Sequence, residues 1–467
     1  MISGNDLKNI GFVEGKALGL ALELVESQYA NLTFDEKLEL LKQILNNPSS
    51  FVNHTILAPV AAELVKPPDE TIALNIDGKS YQIYGAEAIE QGALQQMETA
   101  MKLPVTVAGA LMPDAHQGYG LPIGGVLATN NAVIPYGVGV DIGCRMCMTI
   151  YNIPTERLNG KGEDFKNLLV NNTKFGRETF KKPKDHEIFE RKEFSELSIG
   201  REMKDRAWQQ IGSSGGGNHF VEFGIVEIPN AINEYNVAPG QYVAVLSHSG
   251  SRGLGASIAR HYTKIAMDKC KLPQEAKHLA WLNLDSEEGQ EYWLAMNLAG
   301  DYASACHHQI HERMAIGLHE TPLAMIENHH NFAWKEKDVN GLEVIVHRKG
   351  ATPAGRGTLG IIPGSMATPG FIVRGKGLPE SINSASHGAG RTMSRTKAKQ
   401  TILPGHVKKF LKDAGVELIG SGLDEAPMAY KDIHQVMNSQ KDLVEVLGSF
   451  MPKIVRMCGD ERFKEVD

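Results

Sequence analysis

The stretch Val138-Gly139-Val140-Asp141-Ile142-Gly143-Cys144-Arg145-Met146 joins an apolar run to a glycine-loosened segment that carries a carboxylate and a thiol three residues apart. Both side chains can face one metal ion. The same pattern, a short apolar run that empties into a glycine-rich loop with polar residues, returns from about Leu103 onward. Tyr242 to Leu246 leads to His248, and Glu343 to Val346 leads to His347-Arg348-Lys349-Gly350. Strand ends that deliver side chains into a shared cleft are a common way to build a site. Helical patterns intervene around Trp281 to Leu318 and Asp424 to Leu447, and there is no internal repeat. The expected fold class is therefore α+β, with most of the chain in one large mixed α/β body.

Outward from that body, the first 65 or so residues read as helical. Leu18, Leu22, Val25 and Tyr29 recur at helical spacing, and Thr33 with Glu36 makes a capping box ahead of Leu38, Leu41 and Leu45. Lys66-Pro67-Pro68-Asp69 marks a boundary, giving an N-terminal helical extension at 1–68 and the main domain at 69–467. After it, Ile72, Leu74 and Ile76 alternate into Asp77-Gly78 and out through Tyr81 and Ile83, the pattern of a hairpin. A chain of 467 residues is long enough for about two or three domains or one unusually large fold. No apolar run is long enough for a membrane span and no signal-peptide pattern is seen, so the expected setting is the cytoplasm.

Five scattered cysteines suit a reducing compartment, and Cys144-x-x-Cys147 lacks the second pair that would complete a zinc site. The net charge of −7 is unevenly spread. Between Gly341 and Phe410 stand Arg348, Lys349, Arg356, Arg374, Lys376, Arg391, Arg395, Lys397, Lys399, Lys408 and Lys409, against only Glu343 and Glu380. That imbalance predicts a locally positive surface for phosphate recognition.

Glycines also crowd around histidines in Gly215-Gly216-Gly217-Asn218-His219, Ser247-His248-Ser249-Gly250, Asn328-His329-His330-Asn331 and Ser386-His387-Gly388-Ala389-Gly390-Arg391. Asp141, Cys144, His219, His248 and His330 together offer one hard oxygen, one soft sulfur and three borderline nitrogens. Such a set suits manganese, zinc, cobalt or nickel, and a thiolate can bridge two ions. His387, followed by Arg391 and Arg395 at helical spacing, is expected at a helix N-terminus, placed to attack a phosphorus atom. Its imidazole must be neutral to do so, and Asp114 is a candidate to hold the far nitrogen and fix the tautomer. His307, His308 and His311 form a second cluster, with His307 and His311 on one helix face, and Cys306-His307-His308 lies in an amphipathic helix without glycine or carboxylate neighbours, which suggests a surface or interface role. No GxxxxGK[ST], HExxH or GxSxG motif is present, so P-loop hydrolysis, zincin proteolysis and serine hydrolysis lack support.

With these motifs in order, the chain resembles the RtcB-type RNA ligases. The likeness covers roughly Gln91 to Ala429. It rests on Pro113-Asp114-Ala115-His116-Gln117-Gly118-Tyr119-Gly120, Val138 to Met146, Gly215 to Glu222, His248 to Gly253, His330-Asn331, His347 to Ala351, Pro363 to Met366 and His387 to Arg391. The resemblance implies an RNA ligase that uses GTP and two manganese ions. It joins RNA 3′-phosphate or 2′,3′-cyclic phosphate ends to 5′-hydroxyl ends through a guanylylated histidine and an RNA-ppG intermediate. His387 matches the guanylylated histidine, and Asp141, Cys144, His219, His248 and His330 match the ligands of the two ions. Guanylate contacts fall at Asn218, Glu222, Asn331, Pro363, Gly364, Ser365, Met366, Gly388, Ala389 and Gly390. Phosphate contacts fall at Arg252, Lys349, Arg391 and Arg395. The implied partner is RNA, with room for an activating protein.

Three features depart from the family pattern. Ala367-Thr368-Pro369-Gly370 replaces a stretch that usually holds a serine. The chain ends Arg456-Met457-Cys458-Gly459-Asp460-Glu461 and runs to Asp467, where the family tends to end in Val-Lys-Gly with a lysine that reads guanine. The helical extension is also additional. The altered nucleotide contacts motivate an alternative, a metal-dependent RNA 3′-end capping enzyme or phosphoesterase that stops before joining.

Overall fold

The computed structural model describes residues 2–65, 71–160, 162–230, 233–420 and 422–459. It divides into two compact units, Met1–Thr71 and Ile72–Asp467. In the first, helices Gly4–Asn9, Lys16–Gln28, Phe34–Asn46 and Ala58–Val65 close around Leu7, Val25, Leu41, Ile44, Leu57 and Val60. The Thr33 hydroxyl accepts from the Glu36 N–H while the Glu36 carboxylate accepts from the Thr33 N–H, so the expected capping box is formed. The boundary motif at 66–69 lies outside the described residues.

The second unit is α+β. Its largest sheet runs, in spatial order, Leu359–Ile362, Gly370–Gly375, Val444–Met457, Phe220–Ile228, Gly240–Ser249, Arg145–Tyr151 and Pro322–His329, with every neighbour antiparallel. Glu417–Ile419 joins Val444–Met457 in parallel. The Ile361 N–H donates to Asn328 Oδ1 at 2.8 Å, drawing the two end strands toward each other. A second sheet orders Gln82–Ile83, Thr106–His116, Ile123–Thr129, Glu343–Lys349 and Asn331–Lys337. Ser384–Ser386 pairs separately with Ala351–Pro353.

Antiparallel pairing makes the start of one strand coincide with the end of its neighbour, and this positions the site. Cys144 precedes Arg145–Tyr151 and His219 precedes Phe220–Ile228, whereas His248 lies near the end of Gly240–Ser249 and His330 follows Pro322–His329. The register pairs Met146 with His248, His248 with Phe220, and Arg145 with His329. Four donors from distant sequence thus meet at one rim of the sheet. Glycine makes the rim passable at Gly143, whose φ is +72° and where an added Cβ would stand 2.8 Å from Gly300 Cα.

Two expected elements are absent. Ile72 to Ile83 forms no hairpin. The Ile72 N–H donates to the Lys271 carbonyl and the Asn75 N–H to Lys102, while Gln82–Ile83 pairs in parallel with Ala110 and Leu111. Tertiary partners outcompete the local turn. Asp424 to Leu447 is not one helix either. It holds single turns at Leu423–Glu425 and Pro427–Ala429, then helix Ile433–Asn438 capped by Asp432, before the strand Val444–Met457 begins. Pro427 cannot donate within a helix, and the Asp432 side chain starts a fresh one.

The histidines of helix Glu287–Leu318 also differ from expectation. His308 is exposed and lies 3.3 Å from Glu327, but His307 and His311 are buried against the main sheet. His307 Nε2 donates to the Ser249 carbonyl at 3.1 Å, so its Nδ1 accepts from the Ser247 hydroxyl at 2.7 Å. Ser247 in turn accepts from His311 Nε2 at 2.8 Å, and His311 Nδ1 accepts from Thr149 at 2.6 Å. Both imidazoles are neutral, since burial holds their pKa values well below the ordinary 6.5. Cys147 packs beside them. This polar chain backs the strand that carries His248, whose side chain points to the opposite face from Ser247 and Ser249.

Candidate active site

A cavity of about 700 Å³ opens at the rim and is lined by Asp141, Cys144, Asn218, His219, His248, His330, Asn331 and His387, among others. Its size suits a nucleotide. Cys144 lies between the other donors. Cys144 Sγ lies 3.3 Å from His219 Nε2 and 3.2 Å from His248 Nε2. Beyond them, Asp141 Oδ2 is 3.0 Å from His219 Nε2, and His330 Nε2 is 3.2 Å from His248 Nε2. The five donors therefore form two groups, Asp141 with His219 and His248 with His330, that share one sulfur.

The donor chemistry fits a metal centre. His248 Nδ1 lies 3.1 Å from the Asn218 carbonyl, which can only accept, so the hydrogen is on Nδ1 and the Nε2 lone pair faces the cluster. Burial, then the neighbouring His219, pulls the His248 pKa down to about 3, and burial also keeps His330 well below its ordinary value. Burial works against the Asp141 charge, but contact with His219 outweighs it and keeps the carboxyl ionised. Burial and the Asp141 charge push the Cys144 thiol upward, a trend that a coordinated cation would reverse. Asp141 is oriented by the Ser251 N–H at 3.2 Å, and a Cβ at Gly250 would fall 2.0 Å from its Oδ1.

The second feature is a carboxylate–imidazole pair. Asp114 lies in the buried part of the strand Thr106–His116, and His387 follows Ser384–Ser386. Asp114 Oδ2 accepts from His387 Nδ1 at 2.6 Å, from the His387 backbone N–H at 3.0 Å and from Gly388 N–H at 3.2 Å. Burial opposes the carboxylate charge, yet His387 beside it holds the Asp114 pKa below its ordinary value. In the neutral ring the hydrogen is therefore on Nδ1, which leaves the lone pair on Nε2. The His387 and His330 rings lie 5.0 Å apart, so this pair adjoins the metal-competent cluster.

His387 does not open a helix, as the spacing predicted. Residues 387–394 are irregular, and the helix Arg395–Thr401 starts only after Ser394 caps it. Gly390 explains the departure. Its φ is +72°, and a Cβ there would lie 2.1 Å from the Asp114 carbonyl oxygen. Close packing under Asp114 takes precedence over helical continuation.

The positive surface expected between Gly341 and Phe410 is partly neutralised by acids from other segments. Arg348 is fully buried and paired with Glu336, Arg374 meets Glu234 and Glu445, and Arg391 and Arg395 converge on the buried Glu425. Lys349, Arg391 and Arg395 still line the cavity. Arg252 is not among its lining residues, and its guanidinium engages the Gly176 carbonyl and the Ser213 hydroxyl.

Of the predicted guanylate contacts, Pro363 to Met366 and Gly388 to Gly390 line the cavity with Asn218 and Asn331. The Asn331 side chain ties the site together, donating to the Asp141 carbonyl at 3.3 Å and accepting from Gly350 N–H at 2.7 Å. In the unusual loop, Thr368 Oγ1 accepts from Ser365 N–H at 2.6 Å, a support that no motif announced. Arg456 at the altered C-terminus caps the carbonyls of Leu169 and Val170, while Met457 lines the cavity. Residues 460–467 lie outside the described residues.

Glu222 occupies a small adjoining cavity with Ser365 and Met366, and burial pushes its carboxyl well above the ordinary 4.5. Above about 4.5 the unfolded chain releases this proton more readily than the folded protein does, so Glu222 lowers stability as pH rises from there. Glu222→Gln should therefore raise the melting temperature of the ligand-free protein at pH 8 more than at pH 4.5. An equal shift at both values would contradict a protonated Glu222.

Comparison with known proteins agrees with this architecture. The family model described as "tRNA-splicing ligase RtcB" matches residues 96–198 and 163–457. The chain belongs to the RtcB family. It is 35% identical to the RNA-splicing ligase RtcB of Escherichia coli (strain K12), over 77% of this chain and 92% of that protein. It is 32% identical to the tRNA-splicing ligase RtcB of Aeropyrum pernix, over 73% and 86% of the two chains. With RNA-splicing ligase RtcB homolog 1 of Entamoeba dispar it shares 31% identity, over 74% and 78%. Family membership makes the chain an RNA ligase with metal-capable Cys/His groups at its rim. The family match begins beyond the Met1–Thr71 unit. Among the described residues no helix is long and apolar enough to cross a membrane.

Proposed function

We propose that this RtcB-family chain joins RNA 3′-phosphate or 2′,3′-cyclic phosphate ends to 5′-hydroxyl ends with GTP and manganese. The observation that carries the reading is the Asp114–His387 pair, which leaves an imidazole Nε2 lone pair beside the Cys144-centred donor set. His387 Nε2 attacks the α-phosphorus of GTP and pyrophosphate leaves. The guanylate then passes to the RNA 3′-phosphate, and the 5′-hydroxyl oxygen displaces GMP.

Asp141, Cys144 and His219 would hold one manganese ion, and Cys144, His248 and His330 the other. The ions, when bound, supply charge stabilisation at the triphosphate, a task that no P-loop performs here. Asn218, Glu222, Asn331, the Pro363 to Met366 loop and Gly388 to Gly390 would hold the guanylate. Lys349, Arg391, Arg395 and Arg252 would serve its phosphates or those of RNA.

Incubation with α-labelled GTP and manganese should give an acid-labile label on the protein. Adding 3′-phosphate and 5′-hydroxyl oligonucleotides should give a longer product, in a comparison of GTP with ATP. An unlabelled protein would refute the guanylylation step. Label without a longer product would instead favour the capping reading.

A further inference from the structure

We propose that His116 is the general base of the joining step, taking the proton of the RNA 5′-hydroxyl as its oxygen attacks the activated 3′-phosphate. This rests on the ligase reading above. The structural basis is that Asp114 holds two histidines at once, each by its Nδ1. Its carboxylate takes His387, and its backbone carbonyl takes His116 Nδ1 at 3.0 Å. A carbonyl oxygen can only accept, so His116 carries its hydrogen on Nδ1 and keeps a lone pair on Nε2. The His116 ring lines the same cavity as His387, is half-buried, and has no other hydrogen bond among the described residues.

The anchor itself is rigid. Lys431 Nζ donates to the Pro113 and Ala115 carbonyls at 3.0 and 2.8 Å, fixing the backbone on either side of Asp114. Gly124, at φ +85°, packs so closely that a Cβ would lie 2.7 Å from Ala115 Cα. The two imidazoles nevertheless differ in chemistry. His387 rests on a carboxylate, which supports the positive charge that develops when its nitrogen bonds phosphorus. His116 rests on a neutral carbonyl, and burial, with His387 and Lys431 nearby, pulls its pKa down to about 4. A low pKa weakens it both as a nucleophile and as a base, so its role rests on its place in the cavity wall and its Nδ1 anchor rather than on its basicity.

Displacement geometry asks for two separate groups. In phosphoryl transfer the entering and leaving oxygens lie roughly in line through phosphorus. After the guanylate has moved from His387 to the RNA, GMP is the leaving group and lies on the His387 side. The 5′-hydroxyl must then enter from the other side of the 3′-phosphorus, away from His387, and a base is needed there. His116, two residues beyond Asp114 on the strand, lines the cavity together with the exposed Gln117 and Tyr119, which makes it the candidate base for that entry. The step balances without any further reactant. The O5′–H bond breaks and its proton goes to His116 Nε2. The O5′–P bond forms as the P–O bond to GMP breaks, GMP departs with that electron pair, and the imidazolium returns its proton to water.

The test uses the full chain with manganese and RNA that already carries a 3′-guanylate, alongside RNA with a plain 3′-phosphate. His116→Ala should still become labelled by GTP and should accumulate guanylate-capped RNA, while joining of the pre-activated strand slows by about 10²–10⁴-fold. Imidazole added to the buffer should restore part of that rate, which a merely structural lesion would not allow. His387→Ala should show the opposite pattern, joining pre-activated RNA but forming no protein label. Wild-type joining of pre-activated RNA by His116→Ala would overturn the proposal. So would a parallel loss of label and joining with no imidazole rescue. If the wild-type protein neither takes label nor joins, the ligase reading fails instead.

Discussion

His387→Ala should reduce labelling by GTP, and the joining of plain 3′-phosphate ends, to background while leaving the fold intact. The ring is half-buried beside the cavity rather than in a core cluster, so its removal opens no large internal void. The effect should be chemical, because His387 Nε2 is the ring nitrogen that Asp114 leaves with a lone pair. Substitutions at Asp114 grade the same effect. Two backbone N–H groups, of His387 and Gly388, point at Asp114 Oδ2 and require an acceptor there. In Asp114→Asn the amide oxygen should therefore take the Oδ2 position and preserve the His387 tautomer. The NH₂ then falls at Oδ1, which is buried without a hydrogen-bond partner. That variant loses the negative charge but keeps the orientation, and about 10²-fold in guanylylation rate is expected. Asp114→Ala loses both and should approach the roughly 10⁴-fold cost of a histidine left without its orienting group. Single-turnover label transfer measures the series, and equal rates for the two variants would sink the tautomer argument.

Cys144→Ala should remove both metal ions together. The sulfur lies within 3.3 Å of a nitrogen in each group, so its loss leaves two pairs of donors with nothing between them. Altering an outer-shell partner alone typically costs about 10–100-fold in metal affinity, and deleting a shared ligand should cost more. Metal analysis after gel filtration in manganese should find two ions per wild-type chain and none in the variant, with joining at background. His330→Ala is the control, since it touches only the His248 side and should retain the ion beside Asp141 and His219. A Cys144→Ala protein that kept both ions would show that the sulfur is not the bridge.

Much of the site is legible in residue order alone, and for identifiable reasons. Asp141 and Cys144 announce themselves by spacing, and His219, His248, His330 and His387 by glycines that structural turns alone would not surround with histidines. The fold gathers all six around one cavity. What stays hidden is mostly backbone. The Asn218 carbonyl that fixes His248, the Ser251 N–H that orients Asp141 and the Asp114 carbonyl that holds His116 leave no mark on residue type. Charge misleads for a related reason. The basic run at Gly341 to Phe410 looks wholly unpaired along the chain, but Glu234, Glu336, Glu425 and Glu445 approach four of its arginines from elsewhere. His307 and His311 read as surface residues along the chain because their partners, Thr149 and Ser247, lie on sheet strands remote in sequence.

The amino-acid sequence by itself determined the family, the α+β class and the inventory of oxygen, sulfur and nitrogen donors, since these follow from residue identity and order. The tertiary structure alone decided which nitrogen of His116, His248 and His387 carries the lone pair and which arginine is already paired. Those properties are set by contacts of about 3 Å between groups as far apart as the 273 residues separating Asp114 from His387, a distance across which local spacing carries no information.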